Sequence, residues 1–301
     1  MSDYENAVEI RGVTKRYDGF TLDNISFTVP KGCIVGFIGQ NGAGKTTTIQ
    51  SMLNIIPVDS GEITLLGLDH IRNETEAKER MGVVFDECPF GEVFTPVQLE
   101  RVFRGLYRSW NPETFFQYLD IFQLPRKKKV GELSKGMKMK LQIAAALSHD
   151  AELLIMDEAT TGLDPIVRNE ILDVFRNYLM DGSRSILMSS HITSDLEKIA
   201  DCIVFIDNGK ILLTGYKDEI LENHGVIKCT REEYPEFSPA DYISARVNDF
   251  GAELLTADRA AAAAKYSGAI IEKTTLEEIM QFYVNAGKKE DLQIKVKSEN
   301  E

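Results

Sequence analysis

The feature that most constrains this chain is a glycine-rich segment, residues 39–46, with the sequence GQNGAGKT. It fits the pattern G-x-x-x-x-G-K-[ST] and follows the continuously apolar run of residues 33–38, which is typical of a buried central strand. Between such a strand and a helix, glycines let backbone N–H groups turn inward and surround phosphate oxygens at the positive end of the helix. The segment therefore predicts a phosphate-binding loop within an α/β fold.

Side chains at the end of this loop indicate a nucleotide with a metal ion. The Lys45 ammonium supplies a point charge to the outer phosphates, and the Thr46 hydroxyl is an oxygen ligand suited to Mg²⁺. The loop residues predicted to bind the nucleotide are Gly39, Asn41, Gly42, Ala43, Gly44, Lys45, Thr46 and Thr47.

A second apolar run, residues 153–156, ends in the acids Asp157 and Glu158. Such a run is often only a strand end, but after a phosphate-binding loop it favours catalysis. We expect Asp157 to hold Mg²⁺, directly or through water, and Glu158 to orient or deprotonate the attacking water. General-base assistance is typically worth about 10²–10⁴ in rate. Loss of Glu158 is therefore predicted to stop turnover and to spare nucleotide binding.

The pentapeptide LSKGM, residues 133–137, precedes a helix predicted over residues 138–147, with Ser134 as its N-cap. Taken alone, the pattern fits a plain helix cap as well as it fits an anion site made by the hydroxyl and the free N–H groups. Because the loop already binds one side of a triphosphate, an anion site here would serve the γ-phosphate of a nucleotide on a partner subunit.

Periodicity divides the rest of the chain. Residues 8–29 alternate as antiparallel strands do, later apolar runs alternate with helices as in a mostly parallel sheet, and residues 96–149 have helical periodicity. The hairpin signal Asn208-Gly209 closes this core near residue 220. Beyond it we expect strands at 225–230 and 252–255, helices near 241–248 and 260–264, the apolar pair 270–271, and a last helix opened by Thr274 or Thr275.

Composition limits the class of protein. A formal net charge of −13 argues against a protein that coats nucleic acid, because phosphate contacts need a basic face. The basic block at residues 126–129 is either a solvated face or a surface near phosphates or anionic lipid. No apolar run of 18 or more residues occurs, and the first residues carry acids where a signal peptide carries basic and apolar residues. We therefore expect a cytoplasmic chain.

The order of these motifs, with TGLDP at residues 161–165 and SSH at residues 189–191, resembles the ATP-binding cassette (ABC) family over roughly residues 6–220. Within it, the resemblance is to bacterial exporter subunits with the LSKGM signature. It implies an α/β P-loop NTPase core, with a RecA-like mostly parallel sheet plus an antiparallel β subdomain, a helical insert subdomain and a small C-terminal α/β extension. It also implies ATP and Mg²⁺ as cofactors, sandwich dimers with two composite ATP sites, and a separate transmembrane permease.

The resemblance gives roles to further residues. Tyr17 matches an aromatic residue that stacks on adenine, His191 a switch histidine that contacts the γ-phosphate, and Asp164 a loop that communicates across the dimer interface. By the same resemblance, the signature contacts the ATP of the partner subunit. The implied signature contacts are Ser134, Lys135 and Gly136, the implied catalytic residues are Glu158 and His191, and the implied metal ligands are Thr46, Asp157 and Asp86.

Two positions depart from the family pattern. Lys135 and Met137 stand where the family has glycine and glutamine, and we still expect phosphate binding there. Asp86 and Glu87 follow the strand at residues 81–85, where the family has a switch glutamine. Asp86 can reach Mg²⁺ or its water, but an extra carboxylate near phosphates costs electrostatic energy unless the metal screens it.

The expected organisation is an ATPase domain at residues 1–220 with a helical subdomain at about 89–149, an accessory α/β domain at 221–287, and a disordered tail at 288–301. The expected function is ATP hydrolysis that drives an exporter, as a homodimer or a heterodimer with a related cassette, peripheral at the inner face of the cell membrane and without nucleic acid. We expect the permease to contact the region around residues 90–103.

Two other functions agree less well with the sequence. A soluble ABC ATPase acting on chromosomes needs long coiled coils, whereas only about 90 residues separate the loop from LSKGM. One acting on ribosomes usually carries two cassettes and basic surfaces. A non-hydrolysing module that associates on binding ATP requires a defective water-positioning acid, whereas Glu158 is present.

Overall fold

The computed structural model describes residues 5–180 and 182–286 of the chain. They divide into two compact units, one made of the described residues up to Ile192 together with Ile199–Thr214, the other of Thr193–Lys198 and the described residues from Gly215 onward. The domain boundary predicted near residue 220 stays a prediction, and the predicted tail at 288–301 lies outside the described residues.

The strands follow the predicted alternation with helices. Up to residue 216 they are β1 (Asn6–Tyr17), β2 (Phe20–Pro30), β3 (Ile34–Ile38), β4 (Ser60–Leu65), β5 (Leu68–Asp69), β6 (Met81–Val84), β7 (Leu153–Asp157), β8 (Ser185–Ser190), β9 (Cys202–Asp207) and β10 (Lys210–Tyr216). Up to residue 199 the helices are α1 (Lys45–Met52), α2 (Glu74–Glu79), α3 (Pro96–Leu106), α4 (Pro112–Ile121), α5 (Lys135–Ala146), α6 (Pro165–Tyr178) and α7 (Thr193–Ile199).

A central sheet carries the predicted buried strands in the order β10-β9-β3-β8-β7-β6. β3 is parallel to β8 and β9, and β7 is parallel to β6 and β8. Every residue of β3 and β7 is buried, as expected for strands covered on both faces. The carboxyl ends of these two strands therefore open at the same edge of the sheet, where the glycine-rich loop and the two acids follow them.

A second sheet, in the order β2-β1-β4-β5, is antiparallel and confirms the predicted alternation. Its inward side chains pack with those of the central sheet in one hydrophobic core. Asn208 and Gly209 connect β9 to β10 with φ angles of 45° and 74°, the left-handed pair that the hairpin signal predicted.

The helical region also agrees with its periodicity. α3 begins in a capping box, in which the Thr95 hydroxyl accepts from the Gln98 N–H and the Gln98 side chain accepts from the Thr95 N–H. Ser134 caps α5, as predicted, because its Oγ accepts from the Met137 N–H at 3.3 Å. α5 starts at Lys135 rather than at residue 138, so Lys135 and Met137, the two residues of LSKGM that depart from the family pattern, lie in its first turn.

The second unit contains a separate antiparallel sheet. Its elements are α8 (Lys217–Asn223), β11 (Gly225–Cys229), β12 (Ser244–Val247), β13 (Ala252–Thr256), α9 (Arg259–Lys265), β14 (Ile270–Lys273) and α10 (residues 276–286), with strand order β12-β13-β11-β14. The helix predicted near residues 241–248 is wrong. That segment pairs as β12 with β13, and Ser244 and Ala245 are buried there, so pairing outweighs the local pattern. The capping box at Thr275 and Glu278 confirms the predicted start of the last helix.

Within the described residues, no helix has both the length and the apolar character needed to cross a lipid bilayer.

Candidate nucleotide site

The glycine-rich loop joins the carboxyl end of β3 to the start of α1, in the predicted arrangement. Gly42 and Gly44 have φ angles of 82° and 113°, which favour glycine. A Cβ on Gly39 would lie 2.5 Å from the Ile206 carbonyl oxygen, so the close approach of β9 also requires glycine. Because Gly44 is the N-cap of α1, no side chain caps the helix, and its first N–H groups can serve a bound anion.

A cavity of about 600 Å³ lies beside this loop, within the size range of small-molecule sites. Its lining residues are Gly19, Phe20, Asn41, Gly42, Gly44, Lys45, Thr46, Thr47, Glu158 and Asn208. The predicted binding residues Gly39 and Ala43 are buried in the loop behind it. The structure thus brings most of the predicted loop residues and the predicted catalytic acid to one cavity.

Lys45 is the cation of this cavity and is only 5% exposed. Its Nζ donates to the carbonyl oxygens of Gly39 at 2.7 Å and Gln40 at 3.2 Å. It also lies 3.0 Å from Oε1 of Glu158, whose side chain is 14% exposed. A buried ammonium needs an opposite charge, and Glu158 supplies it.

The second carboxylate oxygen of Glu158 has two polar neighbours. Oε2 accepts a hydrogen bond from the Thr161 hydroxyl at 2.7 Å and lies 2.7 Å from Nδ1 of His191. Burial raises the pKa of Glu158, but the Thr161 hydrogen bond, the Lys45 charge and the His191 contact outweigh it, so the net pKa is below the ordinary value. An ionised carboxylate is the form that can accept a proton from water.

The backbone of Glu158 is held in an unusual conformation. Its φ is +53°, in the left-handed region, which costs a non-glycine residue on the order of 1–3 kcal/mol and is often found at functional sites. The Glu158 N–H donates to Ser189, to both the hydroxyl at 3.0 Å and the carbonyl oxygen at 3.2 Å. β8 therefore holds the turn that directs the Glu158 carboxylate into the cavity.

Asp157 lies at the end of β7 and is 6% exposed. Its Oδ1 accepts a hydrogen bond from the Ser189 hydroxyl at 2.7 Å, so Ser189 contacts both acids. Sequence analysis assigned no role to Ser189 or to Thr161. The signal was available, since both residues lie in the TGLDP and SSH segments on which the resemblance rests.

The residues present fit a Mg²⁺ site of the kind that takes most of its ligands from phosphates and water. Thr46 lines the cavity and Asp157 is an oriented, buried carboxylate. In residues 5–180 and 182–286, no cluster of three or more His, Cys, Asp or Glu side chains could hold a metal ion by itself. Asp86, the third predicted ligand, forms an ion pair with Lys135, whose Nζ lies 2.6 Å from Oδ1, and its metal role stays a prediction.

The other predicted site residues lie at helix starts. Asp164 caps α6, where its Oδ1 accepts from the N–H groups of Ile166 and Val167, each at 3.1 Å. At Gly136, the nearest neighbour of an added Cβ would be Val167 Cγ1 at 3.7 Å, an ordinary contact. Packing within the chain therefore gives no reason for glycine at this position of α5.

Two aromatic residues, Tyr17 and Phe20, flank the turn between β1 and β2, and the adenine contact implied for Tyr17 stays a prediction. Tyr17, at the end of β1, is 46% exposed and pairs across the sheet with Phe20. Phe20 lines the cavity, as does Asn208 in the hairpin after β9. The sequence pattern marked Asn208 only as a hairpin residue and gave Phe20, the first residue of β2, no role, because neither belongs to a nucleotide-binding motif.

Histidines other than His191 have packing roles. Nδ1 of His70 lies 3.0 Å from the Ile63 carbonyl oxygen, Nε2 of His149 lies 2.8 Å from that of Met81, and Nδ1 of His224 lies 2.8 Å from that of Ile220. Only the histidine of the SSH segment contacts a predicted site residue through its ring in the described part of the chain.

Known proteins share this arrangement of motifs. The family model described as ABC transporter matches residues 22–161, which contain the glycine-rich loop, LSKGM and Glu158. The chain is 34% identical over 237 residues to the bacitracin transport ATP-binding protein BcrA of Bacillus licheniformis, covering 78% of this chain and 75% of that protein. It is 33% identical over 244 residues to the Nod factor export ATP-binding protein I of Rhizobium sp. (strain N33), covering 79% of each.

The solved structures agree in fold. A structure described as the ATP binding subunit of an ABC transporter superposes with a TM-score of 0.66 at 26% identity, covering 72% of this chain and 92% of that one. The match therefore extends over nearly the full length of that solved subunit.

Proposed function

The chain belongs to the ABC transporter family as an ATP-binding subunit of the exporter type, and we propose that Mg-ATP closes two copies of it into a dimer that drives a separate transmembrane permease. The protein hydrolyses ATP, and this reaction supplies the energy for transport. The proposed features are the residues that carry out hydrolysis, the dimer, the permease contact, and a position at the cytoplasmic face of the membrane.

The observation that carries the proposed chemistry is the contact of the Glu158 carboxylate with both Lys45 and His191. Lys45 and Glu158 line the cavity, and His191 reaches Glu158 from beside it. In hydrolysis a water oxygen bonds to the γ-phosphorus as the bond to the leaving ADP oxygen breaks. Glu158 accepts the water proton, and Lys45 offsets the charge that spreads over the phosphate oxygens. His191 contacts the γ-phosphate and orients the Glu158 carboxylate through Oε2. Thr46 and Asp157 would hold Mg²⁺, which would supply positive charge beside the phosphates.

Phosphate release by purified protein tests this assignment. We expect wild type to hydrolyse Mg-ATP, and Glu158→Gln to bind it with little change in affinity while turnover falls by at least about 10²-fold. A Glu158→Gln protein that keeps a substantial fraction of the wild-type rate would remove Glu158 from the catalytic role.

The composite site is supported by where LSKGM lies. Ser134, Lys135 and Gly136 are absent from the residues that line the cavity. Their position outside this cavity is consistent with a role toward a nucleotide on another copy. The tolerance of Gly136 for a Cβ within its own chain is consistent with a partner that approaches the start of α5 closely.

The permease contact is proposed at the start of the helical region. Val93, Val102 and Leu106 are 71%, 43% and 66% exposed there, and Phe94 beside them is 39% exposed. Exposed apolar side chains grouped in this way are typical of a protein interface. Val93→Glu or Val102→Glu should abolish co-purification with the permease, while Ile71→Glu, at a similarly exposed apolar residue outside the helical region, should not. Unchanged co-purification of both test variants would place the contact elsewhere.

The alternative of a soluble ATPase acting on chromosomes or ribosomes is not favoured, because both relatives described above are named for transport or export. No nucleic-acid partner is proposed, in keeping with the net charge of −13.

A further inference from the structure

The two departures from the family pattern contact each other. Lys135 stands in place of a signature glycine and Asp86 in place of the switch glutamine, and Lys135 Nζ donates to Asp86 Oδ1 at 2.6 Å. The extra carboxylate and the extra ammonium therefore neutralise each other within one chain. The side chains are 48% and 44% exposed, so the pair is accessible to competing ions.

Hydrogen bonds hold the backbone next to Asp86 against α5, the helix that begins at Lys135. Gln142 of α5 is 2% exposed, and its side-chain amide both donates to the carbonyl oxygen of Phe85 and accepts from its N–H, each at 3.1 Å. The residue before Asp86 is thus fixed to the helix that begins at Lys135. Exchange of the partner of Lys135 therefore requires only side-chain motion.

The Lys135 side chain also lies along the loop that contains Thr161. A Cβ on Gly162 would be 3.4 Å from Lys135 Nζ, so the glycine leaves room for the ammonium. Thr161, the preceding residue, donates to Glu158. Lys135 is therefore placed between the Asp86 segment and the loop that holds the catalytic acid.

An ammonium in the first turn of a helix is unfavourable with the helix dipole unless an anion lies beside it. Asp86 is that anion in the single chain. A terminal phosphate carries more negative charge than a carboxylate and accepts the same hydrogen bonds, so it competes for Lys135 when it comes within reach.

We propose that Asp86 is an intramolecular competitor of the nucleotide: it holds Lys135 in the single chain and releases it to the terminal phosphate of ATP bound to the partner copy. The inference rests on the composite site of the proposed function and adds a regulation of that site. Asp86 raises the ATP concentration needed for closure, and Lys135 lowers it. Half-exposed ion pairs have small energies, so the effect tunes closure by several-fold without blocking it.

The test uses full-length chains that carry Glu158→Gln, in which bound ATP persists. Light scattering gives the Mg-ATP concentration at which half of the protein is dimeric. Asp86→Asn should lower this concentration about threefold or more, and Lys135→Met should raise it by a similar factor. In a chain that already carries Lys135→Met, Asp86→Asn should change this Mg-ATP concentration by less than about 1.5-fold, because no ammonium is left for Asp86 and the phosphate to compete for.

A matched control is available in the same unit. Glu74 pairs with Lys78 at 2.5 Å, with side chains 37% and 46% exposed, and neither residue lines the cavity. Glu74→Gln should leave the half-dimer concentration unchanged, which separates the proposed competition from a general change in surface charge.

An unchanged or higher half-dimer concentration for Asp86→Asn would overturn the proposal, as would an equal decrease with and without Lys135→Met. These failures differ from a failure of the proposed function. If the chain that carries only Glu158→Gln binds Mg-ATP and stays monomeric, the composite homodimer is contradicted. The proposed release of Lys135 to a partner's ATP is then contradicted as well. A parent that dimerises without coupling between Asp86 and Lys135 contradicts the competitor alone.

Discussion

Lys45 Nζ lies 3.0 Å from Glu158 Oε1 at one wall of the cavity. The cation of the glycine-rich loop and the acid that directly follows β7 therefore neutralise each other. Both side chains are largely buried, and each therefore depends on the other for its charge to be tolerated. In the proposed mechanism, a nucleotide whose phosphates bind Lys45 frees the Glu158 carboxylate to act on water. Binding and activation of the acid are thus linked by one ion pair.

This relationship predicts a compensating pair of substitutions. Without nucleotide, Lys45→Met leaves Glu158 without its counter-charge and should lower the free energy of unfolding by about 1–3 kcal/mol. Adding Glu158→Gln to the same chain should recover most of that loss, because the unpaired charge is removed. Urea unfolding of wild type, both single variants and the double variant measures the cycle. Additive losses would contradict an energetically significant ion pair.

Thr161 is predicted to position the Glu158 carboxylate. Thr161→Val keeps the shape of the side chain but removes the donor to Oε2, and kcat should fall about tenfold or more, since hydrogen bonds to charged groups are typically worth about 1.5–3 kcal/mol. Thr161→Ser, which restores a hydroxyl, should recover most of the rate. Steady-state phosphate release measures both. Equal rates for the valine and serine variants would show that the hydroxyl has no part in turnover.

Ser189 is predicted to matter for the metal as well as for the acid, because its hydroxyl bonds to Asp157 and Glu158. Ser189→Ala should raise the Mg²⁺ concentration needed for half-maximal ATPase rate by several-fold. The adjacent Ser190 is the matched control, because its hydroxyl accepts from the Ile192 N–H rather than bonding to either acid. Ser190→Ala should leave the Mg²⁺ dependence unchanged, and a similar shift in both variants would argue for a general loosening of β8.

His149 predicts a dependence of stability on pH. Burial lowers its pKa, and this outweighs the opposite effects of the Met81 and Ala145 carbonyls and of the acids Glu79 and Asp150. The pKa of His149 in the folded state is below its unfolded value of about 6.5. Neutral His149 therefore contributes fully to the free energy of unfolding above that pH. This contribution is lost as the pH falls toward the folded pKa, with a slope of up to about 1.4 kcal/mol per pH unit.

The comparison of wild type with His149→Gln by urea unfolding at pH 7.5 and 5.5 isolates this contribution. The variant should lose less stability between the two pH values than wild type. The pKa of His224 is also lowered by burial, so a His224→Gln variant is measured in parallel to identify its share. If His149→Gln and wild type lose the same amount, His149 does not titrate in the expected direction.

Local requirements explain what the sequence could predict. The loop at residues 39–46 needs positive φ angles at Gly42 and Gly44. Because only a few residue types adopt such angles readily, the loop can be recognised from a single sequence. The caps Ser134 and Thr275 are recognisable for the same reason, since each accepts a hydrogen bond from the N–H three residues further along the chain.

Contacts between distant segments explain the features that the sequence could not predict. The Asp86–Lys135 ion pair joins two positions that the sequence marked only as separate anomalies. Phe20 and Asn208 reach the cavity through hairpins whose placement depends on the whole fold. At residues 244–247 the local pattern favoured a helix, and pairing with β13 decided for a strand. Local propensity is overridden where a sheet supplies a partner.

The central claim is that ATP bound between two copies is hydrolysed with Glu158 as the catalytic acid-base group. Its most direct test is the light-scattering mass of wild type and Glu158→Gln with and without Mg-ATP, measured alongside phosphate release. We expect Mg-ATP to double the mass of Glu158→Gln and to keep it doubled, while wild type releases phosphate and stays mostly monomeric. A Glu158→Gln protein that binds Mg-ATP without any increase in mass would contradict the central claim.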